Sequence, residues 1–173
     1  MHDALISIKP TYVDKLLSGE KAVEIRNRPI NLPSGSRLWI YSTLPMGCVQ
    51  AVAHIRRVEV GSPLTIWRQY SASLGVTKIK YNSYINGSAK VSAILVKRIW
   101  KLPFNLPLQC LRDLVPGFHP PQFLKYMNES DPLLSAIVDF LFKSSGIKYC
   151  EQIGLTLIRP PAVNRKTTPL RKI

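Results

Sequence analysis

The spacing of apolar positions switches between two and three-to-four along the first 26 residues, and each switch marks an element. ALISIK (4–9) alternates and predicts a strand. Pro10 then opens a short helix in which Val13, Leu16 and Leu17 share one face, and Gly19 closes it at the position where a left-handed residue ends a helix. In EKAVEIR (20–26) Val23 and Ile25 point one way while Glu24 and Arg26 point the other. RLWIYS (37–42) and CVQAVAHIRRVEV (48–60) predict two more strands, the first after a Pro-Ser-Gly turn. SPLTIWRQYSASLG (62–75) carries helix signals, with Ser62 as N-cap, Pro63 in the first turn and Gly75 at the end. TKIKYNSYING (77–87) predicts a second short helix ending at Asn86-Gly87, and AKVSAILVKRIW (89–100) a long β-branched strand.

The proline-punctuated stretch 102–126 predicts mostly loop. DPLLSAIVDFLFKSSG (131–146) is the clearest helix, capped by Asp131 and Pro132, with an apolar stripe of Leu134, Ile137, Val138, Leu141 and Phe142. EQIGLTLIR (151–159) predicts a last strand. No repeat is visible. Strands from both halves with helices between them predict an α+β fold, a small mixed β-barrel with helices at its rim.

Composition narrows the class. The 173 residues are 46% hydrophobic, enough for one domain over 1–158, followed by a basic extended tail over 159–173. The apolar runs are short and interrupted, so no segment predicts a membrane span, and the N-terminus lacks the pattern of a signal peptide. Cys48, Cys110 and Cys150 are far apart and form no CxxC, which fits a reducing cytoplasm better than a disulfide framework. His2, His54 and His119 are equally scattered, and neither a metal set nor a cofactor loop is evident. Charge is the strong signal. With 24 Lys+Arg against 10 Asp+Glu the chain carries +14, and a polyanion is the natural partner. The tail holds five of those cations (Arg159, Arg165, Lys166, Arg171, Lys172) and no acid, so it reads as an arm able to follow phosphates, or as a solvated end.

Three stretches resemble ASCH domains, small β-barrels of the PUA-like superfamily. LISIKPTYVDKLLSGEKAVEIRNR is similar to the opening strand, helix and strand that carry G-x-K-x-x-E-x-R, met here by Gly19, Lys21, Glu24 and Arg26. YNSYINGSAKVSAI and PPQFLKY resemble two further segments of one subgroup, and together the three cover about residues 4–127. The resemblance implies a nucleic-acid-facing cleft, usually thought to hold RNA in transcription- or translation-coupled processes. Some small bacterial members resemble hydrolases that act on acetylated cytidine or cut RNA. The hydrolytic type similar to this chain at its lysine carries a threonine three residues on, where Glu24 stands here.

The residues support a reader of single-stranded RNA. Lys21 and Arg26, with Lys9 and Arg28 nearby, are expected to meet phosphate, and Glu24 to accept from a base amino group. Tyr41 and Tyr84 are expected to stack a splayed base, with Ser42 as a polar contact. The bland reading is a Glu24–Arg26 ion pair on a strand surface, worth at most about 1 kcal/mol if exposed. Two alternatives remain open. One is an RNA-directed hydrolase using Lys21 and Glu24 as catalytic groups; the other is a protein-interaction module in which helix 131–146 docks a partner.

Overall fold

A computed structural model describes residues 2–155, with residues 145–147 described by their backbone only. Strands β1 (Asp3–Ile8), β2 (Val23–Arg26), β3 (Arg37–Ser42), β4 (Cys48–Gly61), β5 (Val91–Pro107) and β6 (Leu124–Met127) form a single sheet ordered β2-β5-β4-β3-β1-β6. The sheet curls into a half-barrel. β1 and β3 run parallel and the remaining neighbours antiparallel. Helices α1 (Pro10–Ser18), α2 (Pro63–Tyr70), α3 (Lys78–Ile85), α4 (Leu108–Leu114) and α5 (Pro132–Gln152) surround it, with a 3₁₀ turn at Ser71–Ser73.

Side-chain parity sorts the strands onto two covered faces. Ala4, Ile6 and Ile8 of β1, Leu38 and Ile40 of β3 and Ala51, Ala53 and Ile55 of β4 pack inward with Val13 and Leu16 of α1. Leu5, Trp39, Tyr41 and Val52 face the other way, under Leu111 of α4 and Leu133, Leu134, Ile137 and Leu141 of α5. With both faces covered, β1 and β3 read as nearly continuous apolar runs rather than alternating ones. Val23 and Ile25 of β2 pack beneath Ile66 of α2 and Tyr81 and Ile85 of α3. Glu24 lies opposite Ile94, a residue of the inward cluster, so Glu24 and Arg26 face the mouth of the half-barrel.

Local chemistry explains the helix ends. Lys9 precedes α1 in an extended conformation, and Gly19 ends it at φ 82°, a conformation that favours glycine. The side chains of Ser62, Thr77 and Asp131 accept from Thr65, Lys80 and Leu133 backbone N–H groups and so cap α2, α3 and α5. In the core, Asp3, 2% exposed, accepts from Arg37 Nε and Nη2 and from Trp39 Nε1, each at 2.8 Å. Arg37 Nη1 donates to the Gly154 carbonyl at 2.7 Å, joining β3 to the chain beyond α5.

The structure corrects the sequence reading in three places. Residues 102–126 are not mostly loop: β5 continues to Pro107, α4 follows, and Leu124–Met127 form an edge strand. Pro103 is tolerated because Leu102–Asn105 bulge between the Ala51–Lys101 and Val49–Leu106 pairs, where no ladder bond is required. The last helix runs through Gly146 to Gln152, so Glu151 and Gln152 finish a helix instead of opening a strand. Ile153–Leu155 follow as a turn, not a strand, while residues 156–159 of that expected strand and the basic tail lie outside the described residues. Finally, α5 buries Leu133, Leu134, Ile137 and Leu141 in the domain's own core, so this face of helix 131–146 is not open to a partner.

Candidate nucleic-acid interface

The opening of the half-barrel is a cleft of about 1340 Å³ between α1, β2, α3 and the Pro120–Gln122 segment. Three charged side chains of the G-x-K-x-x-E-x-R stretch meet at its floor. Lys21, Glu24 and Arg26 are only 4%, 8% and 6% exposed. Lys21 Nζ lies 3.3 Å from Glu24 Oε2, and Arg26 Nη2 lies 3.1 Å from Glu24 Oε1. Each cation also donates to a carbonyl at 2.8 Å, Lys21 to Leu74 and Arg26 to Ser7. The carboxylate therefore sits between two cations in a desolvated setting, where an ion pair has far more consequence than on an open strand. Arg26 Nε is buried and has no hydrogen-bond partner. A buried donor left unpaired costs stability, so the floor is held at a local energetic expense.

Backbone geometry holds this floor in place. Ala22 N–H donates to the Ser73 carbonyl at 2.9 Å, so the turn after α2 straps over the start of β2. Gly75 follows at φ 63°, and a Cβ there would come within 3.1 Å of Lys21 Cβ and 3.3 Å of Lys15 Cδ. Gly75→Ala is expected to cost about 1–3 kcal/mol through the left-handed backbone, and to displace Lys21 as well. Chemical denaturation together with RNA titration checks both effects. Unchanged stability would remove the strap from the account of the floor.

The walls mix cations with apolar contact surface. Lys9 and Thr11, Tyr12 and Lys15 of α1 stand on one side, with the Tyr12 ring 5.7 Å from Lys21 Nζ. Lys15 pairs with Glu20. Ile79, Lys80, Ser83 and Tyr84 of α3 stand on the other, and Ile79 is 81% exposed. Tyr84 is partly exposed, but its hydroxyl end turns inward towards Arg26 and Glu24. Burial of that end pushes the phenol up, and the Arg26 charge opposes the shift.

Of the residues singled out from sequence, Lys9, Lys21, Glu24, Arg26 and Tyr84 line this cleft. Three do not. Tyr41 is 3% exposed and shares the face of Trp39 and Leu5, because parity on β3 turns it away from the mouth. Ser42 is fully buried, one residue short of the cleft-lining Thr43. Arg28 is exposed outside the cleft, its guanidinium 4.9 Å from the Phe123 ring centroid. Sequence reading missed Tyr12, Lys15, Ile79 and Lys80. Their signal was present as the polar faces of α1 and α3, at positions 11, 12 and 15 and at 79, 80, 83 and 84, but only the fold turns those faces towards each other.

No family model matches the chain. It is 31% identical over 131 residues to an ASCH domain-containing ribonuclease of Zymomonas mobilis, covering 75% of this chain and 86% of that protein. The crystal structure of ASCH from Zymomonas mobilis superposes with a TM-score of 0.72 at 27% identity, over 79% of this chain and 94% of that one. A shorter match, 28% identical over 99 residues, is to large ribosomal subunit protein uL22 of Ureaplasma parvum, and spans 56% of this chain and 31% of that protein. Sequence and architecture agree, and the chain belongs to the ASCH domain family, with the PUA-like barrel as its fold.

Proposed function

We propose that the cleft binds single-stranded RNA. The observation that carries this reading is the buried Lys21–Glu24–Arg26 cluster at the floor of a cleft fringed by the exposed cations Lys9 and Lys80. At about 1340 Å³ the cleft exceeds the ~300–1,000 Å³ of ordinary small-molecule sites, so a nucleotide with its flanking phosphates fits better than a lone metabolite. Division of labour follows from burial. Lys21 and Arg26 are engaged with Glu24 and with carbonyls, which leaves phosphate contact to the exposed Lys9 and Lys80. A splayed base enters against Tyr84 and Ile79, where stacking contributes about 1–3 kcal/mol. Its edge meets Glu24 as acceptor.

Cleavage of that RNA is the second reading, favoured by the ribonuclease relative. Glu24 is engaged by two cations, whereas the Tyr84 hydroxyl faces Arg26 and Glu24 and can hydrogen-bond a phosphate oxygen at the scissile bond. The experiment is a filter-binding titration of a labelled single-stranded RNA across salt, followed by single-turnover incubation. Affinity is expected to fall steeply with salt, and Lys9→Ala with Lys80→Ala to reduce the log–log slope by about 1.4 in total. A flat salt response overturns RNA binding. Product from wild type, lost in Tyr84→Phe, establishes the cleavage reading.

A further inference from the structure

A second cationic surface lies outside the cleft, on the β4–β5 hairpin. Pairing there jumps from His54–Arg98 to Ile55–Val96 and again to Arg57–Leu95. Lys97 and Arg56 are therefore extra residues without a cross-strand partner, in two bulges that face each other. Arg56, Arg57, Lys97 and Arg98 are all exposed. Glu59 is the one acid of β4, β5 has none, and Glu59 pairs with Arg57. Among the described residues Arg56, Lys97 and Arg98 make no ion pair and no side-chain hydrogen bond. Like charges set side by side across a ladder repel. Bulges re-aim side chains, and here they gather three unneutralised cations where a plain ladder would have spread them.

A backbone bond ties this surface to the segment that leads into the cleft floor. Val96 N–H donates to the Ala22 carbonyl at 3.0 Å, so Lys97 stands one residue beyond the point where β5 meets the start of β2, next to Lys21 in sequence. We propose that Arg56, Lys97 and Arg98 form a second contact surface for the RNA backbone, which receives the strand as it leaves the cleft. This rests on the RNA reading of the cleft. It adds that affinity grows with length beyond the nucleotides the cleft holds, because each added phosphate on the patch releases counterions. An acidic protein is the competing occupant, and the chain's charge of +14 together with the RNA reading of the cleft favours RNA.

The test compares wild type with the triple variant Arg56→Ala, Lys97→Ala, Arg98→Ala on single-stranded RNAs of about 4 and about 16 nucleotides. Wild type is expected to bind the longer RNA more tightly. The variant should lose about tenfold or more on the long RNA at low salt, with the log–log salt slope reduced by about 2, and less than about twofold on the short one. A charge-preserving variant, Arg56→Lys, Lys97→Arg, Arg98→Lys, should keep the wild-type slope, which separates charge from fold damage. If wild type binds neither RNA, the cleft reading itself fails. If wild type binds both lengths equally, or the variant loses equally on both, only the second surface is overturned. Unchanged affinity of the variant for both RNAs likewise overturns it.

Discussion

Glu24→Ala is expected to destabilise the domain by about 3–5 kcal/mol, because it leaves two cations buried with no counter-charge. Lys21 and Arg26 are each under 7% exposed and both lean on this one carboxylate. Their carbonyl partners Leu74 and Ser7 satisfy hydrogen bonds but cannot neutralise charge. Glu24→Gln keeps an acceptor and the side-chain shape, so it should cost less while still removing the charge. Adding Lys21→Met to Glu24→Ala removes one of the two stranded cations and should recover part of the loss, a coupling that a double-mutant cycle measures. Urea unfolding gives the values. A loss under about 1 kcal/mol for Glu24→Ala would show that water screens the cluster, as at an exposed strand pair.

A loss of similar size, about 3–5 kcal/mol, is expected for Asp3→Ala at the other pole of the sheet. Asp3 neutralises Arg37 through two 2.8 Å bonds and takes the Trp39 indole N–H as well. Its removal strands a guanidinium that is 8% exposed and leaves an indole donor unpaired in the core. Arg37 also holds the Gly154 carbonyl, so the chain end after α5 should loosen together with β1 and β3. Hydrogen exchange would show this as lost protection at Ile153–Leu155, alongside a lower melting temperature. Asp3→Asn retains acceptor capacity for one partner and should fall between wild type and alanine. Preserved protection after Asp3→Ala would rule out the proposed coupling.

The parts of the fold legible in sequence were those fixed by local chemistry. Gly19, Ser62-Pro63, Thr77 and Asp131-Pro132 announce helix ends through caps that need only neighbours in the chain. Alternation placed Glu24 and Arg26 on one face of β2, and they do share the cleft floor. Distance along the chain defeated the rest. Pro103, Pro107 and Pro116 look like loop punctuation, yet the first sits in a bulge and the other two bracket α4. Tyr41 and Ile40 alternate on a strand buried on both faces, so nothing local says which of them looks towards the mouth. The burial of Lys21 depends on Leu74 and Gly75, more than fifty residues away in sequence.

The bond from Arg26 to the Ser7 carbonyl has a consequence for lineages. β2 is an edge strand, and this bond clasps it to β1 across the open side of the half-barrel. The arginine therefore answers to architecture before it answers to any ligand, and Glu24 balances its charge. In this chain, loss of the ligand would therefore leave Lys21, Glu24 and Arg26 still needed to close the barrel. Divergence of function should instead be written in Lys9, Ile79 and Lys80, exposed positions where exchange leaves the clasp intact.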